Sequence, residues 1–235
     1  MVIPLHDDNP SSSRPYVTVG ILIACTLVYA VHHLLLSDVG TMQFTLGFGA
    51  IPASLTGHEL PAAVSPVPPA VTVFTSMFMH GGFWHLAGNM LYLWIFGNNV
   101  EDAMGHVRFV VFYLLCGVAA VAAQVLPNPG SIVPMIGASG AISGVLGAYL
   151  LLYPRARVLL GVPIGFFIIR IGRFPAGWVL LSWFVMQVLL GGVAAVRPGD
   201  GAVGIAFGAH IGGFIAGVAS IALFKRRNVP LWRRH

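Results

Sequence analysis

A small set of polar residues lies inside otherwise apolar segments of the sequence. The stretch HGGFWHLAGNM carries His80, His85 and Asn89, MIGASGAISG carries Ser139, and AHIGGFIAG carries His210. A serine in a membrane helix usually does no more than bond to a carbonyl one turn earlier. Polar side chains are nevertheless costly in a bilayer, so a group of them at one depth indicates a functional site.

Ser139 and His210 are residue types that together support acyl transfer. A serine hydroxyl is a weak nucleophile until a base removes its proton, and neutral imidazole can do so near pH 7. The tetrahedral intermediate then needs hydrogen-bond donors for its oxyanion. The candidates are the backbone N–H of Ser139, the side-chain amide of Asn89 and a ring N–H of His85. We therefore expect a Ser139/His210 dyad with these three oxyanion donors.

An acid that would complete a catalytic triad is hard to find in this sequence. The carboxylates are Asp7, Asp8, Asp38, Glu59, Glu101, Asp102 and Asp200. None lies at the depth expected for Ser139, and only Asp200, in the connection before the last apolar segment, is a candidate for orienting His210. An aspartyl protease would need two buried aspartates, and a zinc protease of the H-E-x-x-H kind would need a motif that this chain lacks.

The composition is that of an integral membrane protein. Of the 235 residues 57% are hydrophobic and 8% are charged, with a mean hydropathy of +0.86, whereas soluble domains carry about 25% charged residues. The formal net charge of +5 comes from basic residues that flank apolar segments. We therefore expect the lipid bilayer as a partner and no nucleic acid.

Six apolar segments qualify as membrane spans, each of which needs roughly 20 residues of helix. They cover about 17–36, 83–100, 108–126, 137–153, 176–195 and 205–224. If both termini are cytoplasmic, eleven of the twelve Lys and Arg residues face inwards and only Arg197 faces outwards, as positively charged loops prefer. The expected fold is an all-α membrane protein, a bundle of six transmembrane helices with both termini in the cytoplasm.

In this topology the second, fourth and sixth spans all enter the membrane from the outer face. His85, Asn89, Ser139 and His210 then lie within about the first two turns of their helices, or about 10 Å of rise. Polar residues placed at random in six helices would scatter in depth. Their shared depth favours a site over isolated packing residues.

Glycines explain how the fourth and sixth spans can approach each other. They are Gly137, Gly140, Gly144 and Gly147 in the fourth span and Gly213 and Gly217 in the sixth. Small residues at this spacing let two helix backbones pack closely. We expect this close approach to bring Ser139 within reach of His210.

The connections between spans are also informative. The segment GVPIGFFII at 161–169 is too short to span a bilayer and is bracketed by Arg157 and Arg170, which predicts an interfacial connection. Residues 1–16 are expected to form a polar N-terminal tail and residues 227–235 a basic C-terminal tail, on either side of a catalytic domain at 17–226. Glu101 and Arg108, near the inner end of the second span, are expected to form an ion pair.

Taken together, these residues resemble the rhomboid family of intramembrane serine proteases. The resemblance rests on the H-x4-H-x3-N array at 80–89, on G-x-S-G at 137–140, and on the His-x2-Gly-x3-Gly that begins at His210. Each element is weak alone, but their order and their placement in the spans are specific. The resemblance covers about residues 17–226.

The resemblance implies a six-helix rhomboid-like bundle whose active site opens outwards. It implies Ser139 as nucleophile, His210 as general base, His85 and Asn89 at the oxyanion, and a mainly structural role for His80. Gly137, Gly140, Gly213 and Gly217 would be structural residues near the site. It also implies single-span membrane proteins as substrates. Separately, we expect no cofactor or metal and a location in a bacterial inner membrane, and the oligomeric state is left open.

This chain departs from the family pattern at two places. Relatives often carry an aromatic residue one turn after the nucleophile to pack on the base histidine, and here that position is Ser143. Residues 37–82 contain neither Trp nor Arg, whereas many relatives have such a pair in the first loop. These departures concern the support of His210 and the anchoring of the first loop, and they leave the predicted dyad unchanged.

Two other functions are compatible with parts of this pattern. A rhomboid-like protein without catalysis would bind membrane proteins, although such a protein would be expected to have lost Ser139 or His210. A transporter or cofactor-binding protein would use His80 and His85 as ligands of a metal or haem. These two histidines are five residues apart and point differently on a helix, and no Cys or carboxylate completes a ligand set.

Overall fold

A computed structural model describes residues 2–58, 66–165, 167–196 and 206–233 of the chain. Its helices are α1 (Tyr16–Ala30), α2 (Asp38–Phe48), α3 (Pro52–Leu55), α4 (Pro69–Thr75), α5 (Phe83–Tyr92), α6 (Asn98–Met104), α7 (His106–Val125), α8 (Ser139–Leu152), α9 (Ala176–Val196) and α10 (Phe207–Phe224). Its strands are β1 (Ile3–Asp7), β2 (Arg157–Ile164) and β3 (Phe167–Pro175). The prediction for Asp200 falls outside the described residues.

The helices are those of a membrane protein. Within the described residues, four segments are long and apolar enough to cross a bilayer, Tyr16–Leu35, His106–Val125, Ala176–Val193 and Phe207–Phe224. The π-helical turn Leu93–Gly97 joins α5 to α6 in one helical run. Helix α8 has only 14 residues, or about 21 Å. The count of six spans and the cytoplasmic termini stay predictions.

Helix α8 lies at the centre of the bundle. Eleven of its 14 residues are buried, because other elements surround it and leave no face to lipid. On α7 the buried residues Phe112, Cys116 and Ala120 recur every four positions, so they form one face of that helix. A side-chain carbon added at Gly140 or Gly144 would collide with Ala120 or Cys116 of α7. These two glycines therefore let α7 pack closely against α8. The sequence analysis had considered close packing only between the fourth and sixth predicted spans.

Helix α10 packs on α8 with backbone against backbone. A side-chain carbon added at Gly213 would collide with the carbonyl oxygen of Gly140, and one added at Gly217 with that of Gly144. Contact this close is possible only where both helices lack a side chain. The first turn of α10 is thereby held beside the first turn of α8.

A small antiparallel sheet, in the order β1-β2-β3, corrects the prediction of an all-α protein. Strand β2 pairs with β1 through Ile3 and Gly161 and with β3 through Val158 and Phe174. The segment expected to be a simple interfacial connection is thus a β-hairpin, and its β-branched residues favour extended backbone. Part of the predicted N-terminal tail is therefore strand β1, which pairs with this hairpin.

The N-terminal strand is attached to the helices by a buried carboxyl group. Oδ2 of Asp7 accepts a hydrogen bond of 2.8 Å from Nδ2 of Asn99 and one of 2.5 Å from the hydroxyl of Tyr149. The Asp7 side chain thus connects the sheet to the C-terminal part of α8. Burial raises the pKa of Asp7 more than the bonds from Tyr149 and Asn99 lower it.

Glu101 does not form the expected ion pair with Arg108. Its fully buried carboxylate accepts hydrogen bonds of 2.9 Å from the N–H of Val17 and of 2.7 Å from both the N–H and the hydroxyl of Thr18. It also lies 2.6 Å from Nδ1 of His106. The N–H groups in the first turn of α1 have no acceptor within the helix, and the Glu101 carboxylate is the acceptor for two of them.

Candidate active site

Ser139 is the first residue of α8. Two residues before it, Gly137 has a backbone conformation that glycine adopts more easily than other residues. Gly137 has a φ of +133°, in a region that favours glycine, and its N–H donates to the carbonyl of Ser76 at 2.9 Å. A side-chain carbon at this position would lie 2.9 Å from Nε2 of His85. The glycine therefore lets the His85 ring and the Ser139 hydroxyl occupy adjoining space.

The structure brings Ser139 and His210 together. Nε2 of His210, in the first turn of α10, lies 2.8 Å from Oγ of Ser139. The Ser139 hydroxyl can donate this bond when Nε2 carries no proton. In that state the imidazole is placed to remove the hydroxyl proton, which is the arrangement that activates a serine.

The opposite side of the imidazole contacts a glutamine that the sequence analysis did not single out. Oε1 of Gln187, in α9, lies 2.8 Å from Nδ1 of His210. A carbonyl oxygen only accepts hydrogen bonds, so Nδ1 must carry the ring proton. This leaves Nε2 free to accept from Ser139. Gln187 is buried, so bulk water does not compete for its hydrogen bond with His210.

An aromatic residue from α9 takes the place of the one expected after the nucleophile. The ring centroid of Trp183 lies 5.9 Å from that of His210, at an angle of 39°. Ser143, at the position where relatives often have an aromatic residue, is buried and donates to the carbonyl of Ser139 at 2.6 Å. His210 is therefore supported from the fifth predicted span.

His85 lies on the other side of Ser139, across Gly137. The N–H of Gly81 donates to Nδ1 of His85 at 3.4 Å, so Nε2 carries the ring proton and faces the space beside Ser139. Asn89 follows one turn later in α5. Its Nδ2 is buried and has no hydrogen-bond partner among the described residues. An unsatisfied buried donor is costly, and a ligand's oxygen would relieve that cost.

His80 is fully buried, and its backbone carbonyl accepts a hydrogen bond of 2.8 Å from Nε2 of His33. The His80 ring lies edge-on to that of His85, with centroids 5.1 Å apart. Neither nitrogen of the His80 ring has a partner in the described part of the chain. The described residues contain no group of three His, Cys, Asp or Glu side chains placed to hold a metal.

A cavity of about 40 Å³ borders Ser139. Ser76, Met135, Gly137 and Ala209 contribute to its lining. This volume accommodates a water molecule, which needs about 10–15 Å³ by the same measure. The site therefore has room for the water that a hydrolytic reaction consumes.

Gln187 and Trp183 are the site residues that the sequence analysis missed. Gln187 is a polar residue within the apolar segment 176–195, and the same cost of burying polar groups that drew attention to Ser139 applies to it. Its depth in the fifth span could therefore have been compared with that of His210. Trp183 gave no such signal, because a tryptophan in a membrane helix is common.

The comparison with protein families decides what kind of protein carries this geometry. The model of the rhomboid domain matches residues 69–227. The chain belongs to the rhomboid family. The resemblance inferred from the sequence is thus confirmed, and this family includes intramembrane serine proteases. The match starts at α4, so the predicted boundaries at 17 and 226 stay predictions.

Individual relatives agree with this assignment. The chain is 32% identical over 152 residues to Rhomboid protein 1, mitochondrial, of Saccharomyces cerevisiae. The matched region covers 63% of this chain and 40% of that protein. The chain is 30% identical over 166 residues to Presenilin-associated rhomboid-like protein, mitochondrial, of Mus musculus, covering 67% and 41%. It is 42% identical over 78 residues to Rhomboid protease GluP of Bacillus subtilis, covering 33% and 15%.

The chain thus spans less than half the length of these curated relatives. Two of the three are mitochondrial proteins by name, and they have the longer matches. The comparisons therefore do not support the prediction of a bacterial inner membrane. They do support an integral membrane protein, as do the apolar helices.

Proposed function

We propose that this chain is an intramembrane serine endopeptidase that uses Ser139 as nucleophile and His210 as general base. The observation that carries the proposal is the distance of 2.8 Å between Oγ of Ser139 and Nε2 of His210. The two groups come from different helices, 71 residues apart in the chain. In a bilayer such a bond between spans needs the close packing that Gly213 and Gly217 supply.

The proposed reaction has an acylation and a deacylation step. The Ser139 proton moves to Nε2 of His210 while Oγ forms a bond to the scissile carbonyl carbon. The carbon–nitrogen bond then breaks, and the imidazolium gives its proton to the leaving amine. Water next loses a proton to Nε2 and attacks the acyl-enzyme carbonyl. Breaking the ester bond returns the proton to Oγ and releases the new carboxylic acid, which loses its remaining proton to water.

The negative charge on the carbonyl oxygen needs donors during both steps. The N–H of Ser139 lies at the N-terminus of α8, where the helix offers no acceptor and the helix dipole favours negative charge. The proposed side-chain donors are the Nε2–H of His85 and the buried Nδ2 of Asn89, which has no hydrogen-bond partner among the described residues. Each such donor contributes roughly 10²–10³ to the rate in serine proteases.

Gln187 takes the structural place of a triad's acid in this proposal. Its Oε1 accepts from Nδ1 of His210 and so selects the tautomer whose Nε2 is a base. A carboxylate in that place would also stabilise the imidazolium by its charge. A neutral amide orients the ring without that contribution, and Trp183 limits the ring's tilt from one side.

The substrates proposed by resemblance are single-span membrane proteins cut near the outer end of their helix. A peptide bond in a helix is protected by its own hydrogen bonds, so the segment must unwind before Ser139 can attack it. The proposal includes the six-span topology with cytoplasmic termini, which places Ser139 close to the outer surface.

Cleavage in proteoliposomes tests this proposal. The full chain is reconstituted with a single-span reporter whose fluorophore and quencher flank the membrane segment. We expect cleavage by the wild type and a loss of at least about a thousandfold in Ser139→Ala and His210→Ala. Ser220→Ala is the matched control, because the Ser220 hydroxyl bonds back to the carbonyl of Ala216 at 2.6 Å and should be dispensable. Cleavage retained in Ser139→Ala would overturn the proposal.

A further inference from the structure

The hairpin formed by β2 and β3 presents an unusual amount of apolar surface. Its exposed apolar side chains are Ile164, Phe167, Ile168, Ile169, Ile171 and Phe174, with exposed fractions between 41% and 79%. Ile164 ends β2, and the other five lie in β3, an edge strand of the sheet, where successive side chains point to opposite faces. An aqueous surface would not favour this arrangement.

The hairpin is held at the position where a membrane-crossing helix begins. Strand β3 ends at Pro175 and α9 begins at Ala176 without a connecting loop. The N–H of Ala176 donates to the carbonyl of Ala156 at 2.7 Å, and that of Gly177 to the carbonyl of Pro154 at 2.8 Å. The two ends of the hairpin are therefore held together beside the first turn of α9, a helix that is long and apolar enough to cross a bilayer.

The charges on this hairpin all have one sign. Arg157, Arg170 and Arg173 are exposed, as is Arg155 just before β2, and the sequence contains no Asp or Glu between 103 and 199. Outside the hairpin, Oδ1 of Asp8 accepts a hydrogen bond of 2.6 Å from the backbone N–H of Arg157. The side chains of Arg170 and Arg173 make no hydrogen bond or ion pair within the described residues. Guanidinium groups that alternate with exposed apolar side chains are typical of segments that bind anionic membrane surfaces.

We propose that the β2–β3 hairpin is a binding surface for anionic phospholipids in the leaflet where α9 begins. Phe167, Ile169 and their apolar neighbours lie at the boundary between headgroups and acyl chains. Arg170 and Arg173 bind headgroup phosphates, which match the fork of guanidinium donors. This surface is formed by residues away from Ser139 and does not depend on the proposed protease activity.

The position of the hairpin is tested with a fluorescent label. The native Cys25 and Cys116 are buried, with at most 1% exposed, so the thiol of a Phe167→Cys variant is labelled selectively by NBD. In liposomes we expect lipid-borne nitroxides to quench this label and aqueous iodide to leave it largely unquenched. Ser11→Cys, an exposed position outside the sheet, is the control and should show the reverse. Quenching of position 167 by iodide as at position 11 would overturn the proposal.

The lipid preference is tested by titration in mixed micelles. The labelled full chain is titrated with phosphatidylglycerol or phosphatidylcholine, and the NBD emission is measured. We expect saturable binding of phosphatidylglycerol only, weakened about fivefold by Arg170→Gln and again by Arg173→Gln. Arg14→Gln, an exposed arginine outside the hairpin, should leave it unchanged. Equal binding of both lipids would overturn the anionic preference.

The labelling can also detect whether a second copy of the chain, in place of lipid, binds to the β2–β3 hairpin. The free edge of β3 could pair with another strand. Energy transfer between donor- and acceptor-labelled Phe167→Cys chains in liposomes would then persist on dilution with unlabelled lipid. We expect it to disappear on dilution, and persistence would overturn the assignment to lipid. Repeating the titrations in Ser139→Ala keeps both results independent of proteolysis.

Discussion

Oε1 of Gln187 and Nδ1 of His210 lie 2.8 Å apart, on the side of the imidazole opposite Ser139. The two ring nitrogens thus contact two different helices, α9 through Gln187 and α8 through Ser139. A histidine that only filled space would need neither contact. The ring is held in the orientation and tautomer that a general base requires.

Replacing Gln187 by Met keeps the length of the side chain and removes the acceptor of the Nδ1 proton. We expect kcat to fall about two- to tenfold, since a hydrogen bond of this kind contributes about 0.5–1.5 kcal/mol, while KM changes little. The measurement is the rate of reporter cleavage in proteoliposomes over a range of substrate density. A change confined to KM would contradict a role in orienting His210.

Gln187→Glu is the rescue variant for this prediction, because it keeps an oxygen acceptor in the same place. Its kcat should exceed that of Gln187→Met at neutral pH. If both variants lose activity equally together with their melting temperature, Gln187 serves packing and not the orientation of the imidazole.

Gly213→Ala is expected to separate α8 from α10. The added carbon would collide with the carbonyl of Gly140, so α10 must move away from α8, at a cost of about 1–3 kcal/mol. Cleavage and melting temperature should both fall. Gly20→Ala in α1 is the control, because nothing lies within 4 Å of the added carbon there and alanine favours a helix. A fully active Gly213→Ala would contradict the close packing of α8 on α10.

Glu101→Ala is expected to loosen the start of α1. The variant leaves the N–H groups of Val17 and Thr18 without their acceptor, and each unsatisfied buried group costs about 1–3 kcal/mol. Hydrogen exchange at these two amides should accelerate and the melting temperature should fall. Asp38→Ala, at an exposed position, is the comparison. Unchanged exchange at both amides would show that Glu101 does not hold this helix.

The buried carboxyl group of Asp7 is expected to make the stability of the folded protein depend on pH. Burial raises its pKa in the folded protein, so the folded state holds the proton more tightly than the unfolded state. The resulting stabilisation is complete below the ordinary pKa of about 3.9 and is lost as the pH rises through the folded-state pKa. Asp7→Asn cannot ionise, so its melting temperature should lack this decline.

The control for this prediction is Asp8→Asn, which changes the exposed neighbouring carboxylate. It should keep the decline seen in the wild type. Parallel melting profiles of the wild type and Asp7→Asn from below pH 4 to neutrality would contradict the raised pKa of Asp7.

The sequence supported the family assignment because the cost of burying polar groups acts on single residues. Ser139 and His210 were conspicuous in apolar segments, and the glycines near them indicated which helices could touch. Asn89 was noticed for the same reason. Such inferences need only the period of a helix and the polarity of the bilayer.

The remaining features depend on contacts between distant parts of the chain. The pairing of β1 with β2 joins residues about 150 positions apart, and no local pattern indicates it. Glu101 was assigned to Arg108, whereas its partners are His106 and the first turn of α1. Gln187 reaches His210 only because α9 packs beside α10. Periodicity within one helix does not reveal the rotation of that helix against its neighbour.

The most direct test of the central claim is labelling with a fluorophosphonate probe followed by peptide mass spectrometry. We expect one covalent adduct on Ser139 in the wild type and in Ser220→Ala. We expect no adduct in Ser139→Ala and labelling slowed by orders of magnitude in His210→Ala. An adduct on a different serine, or equal labelling in His210→Ala, would contradict an activated Ser139.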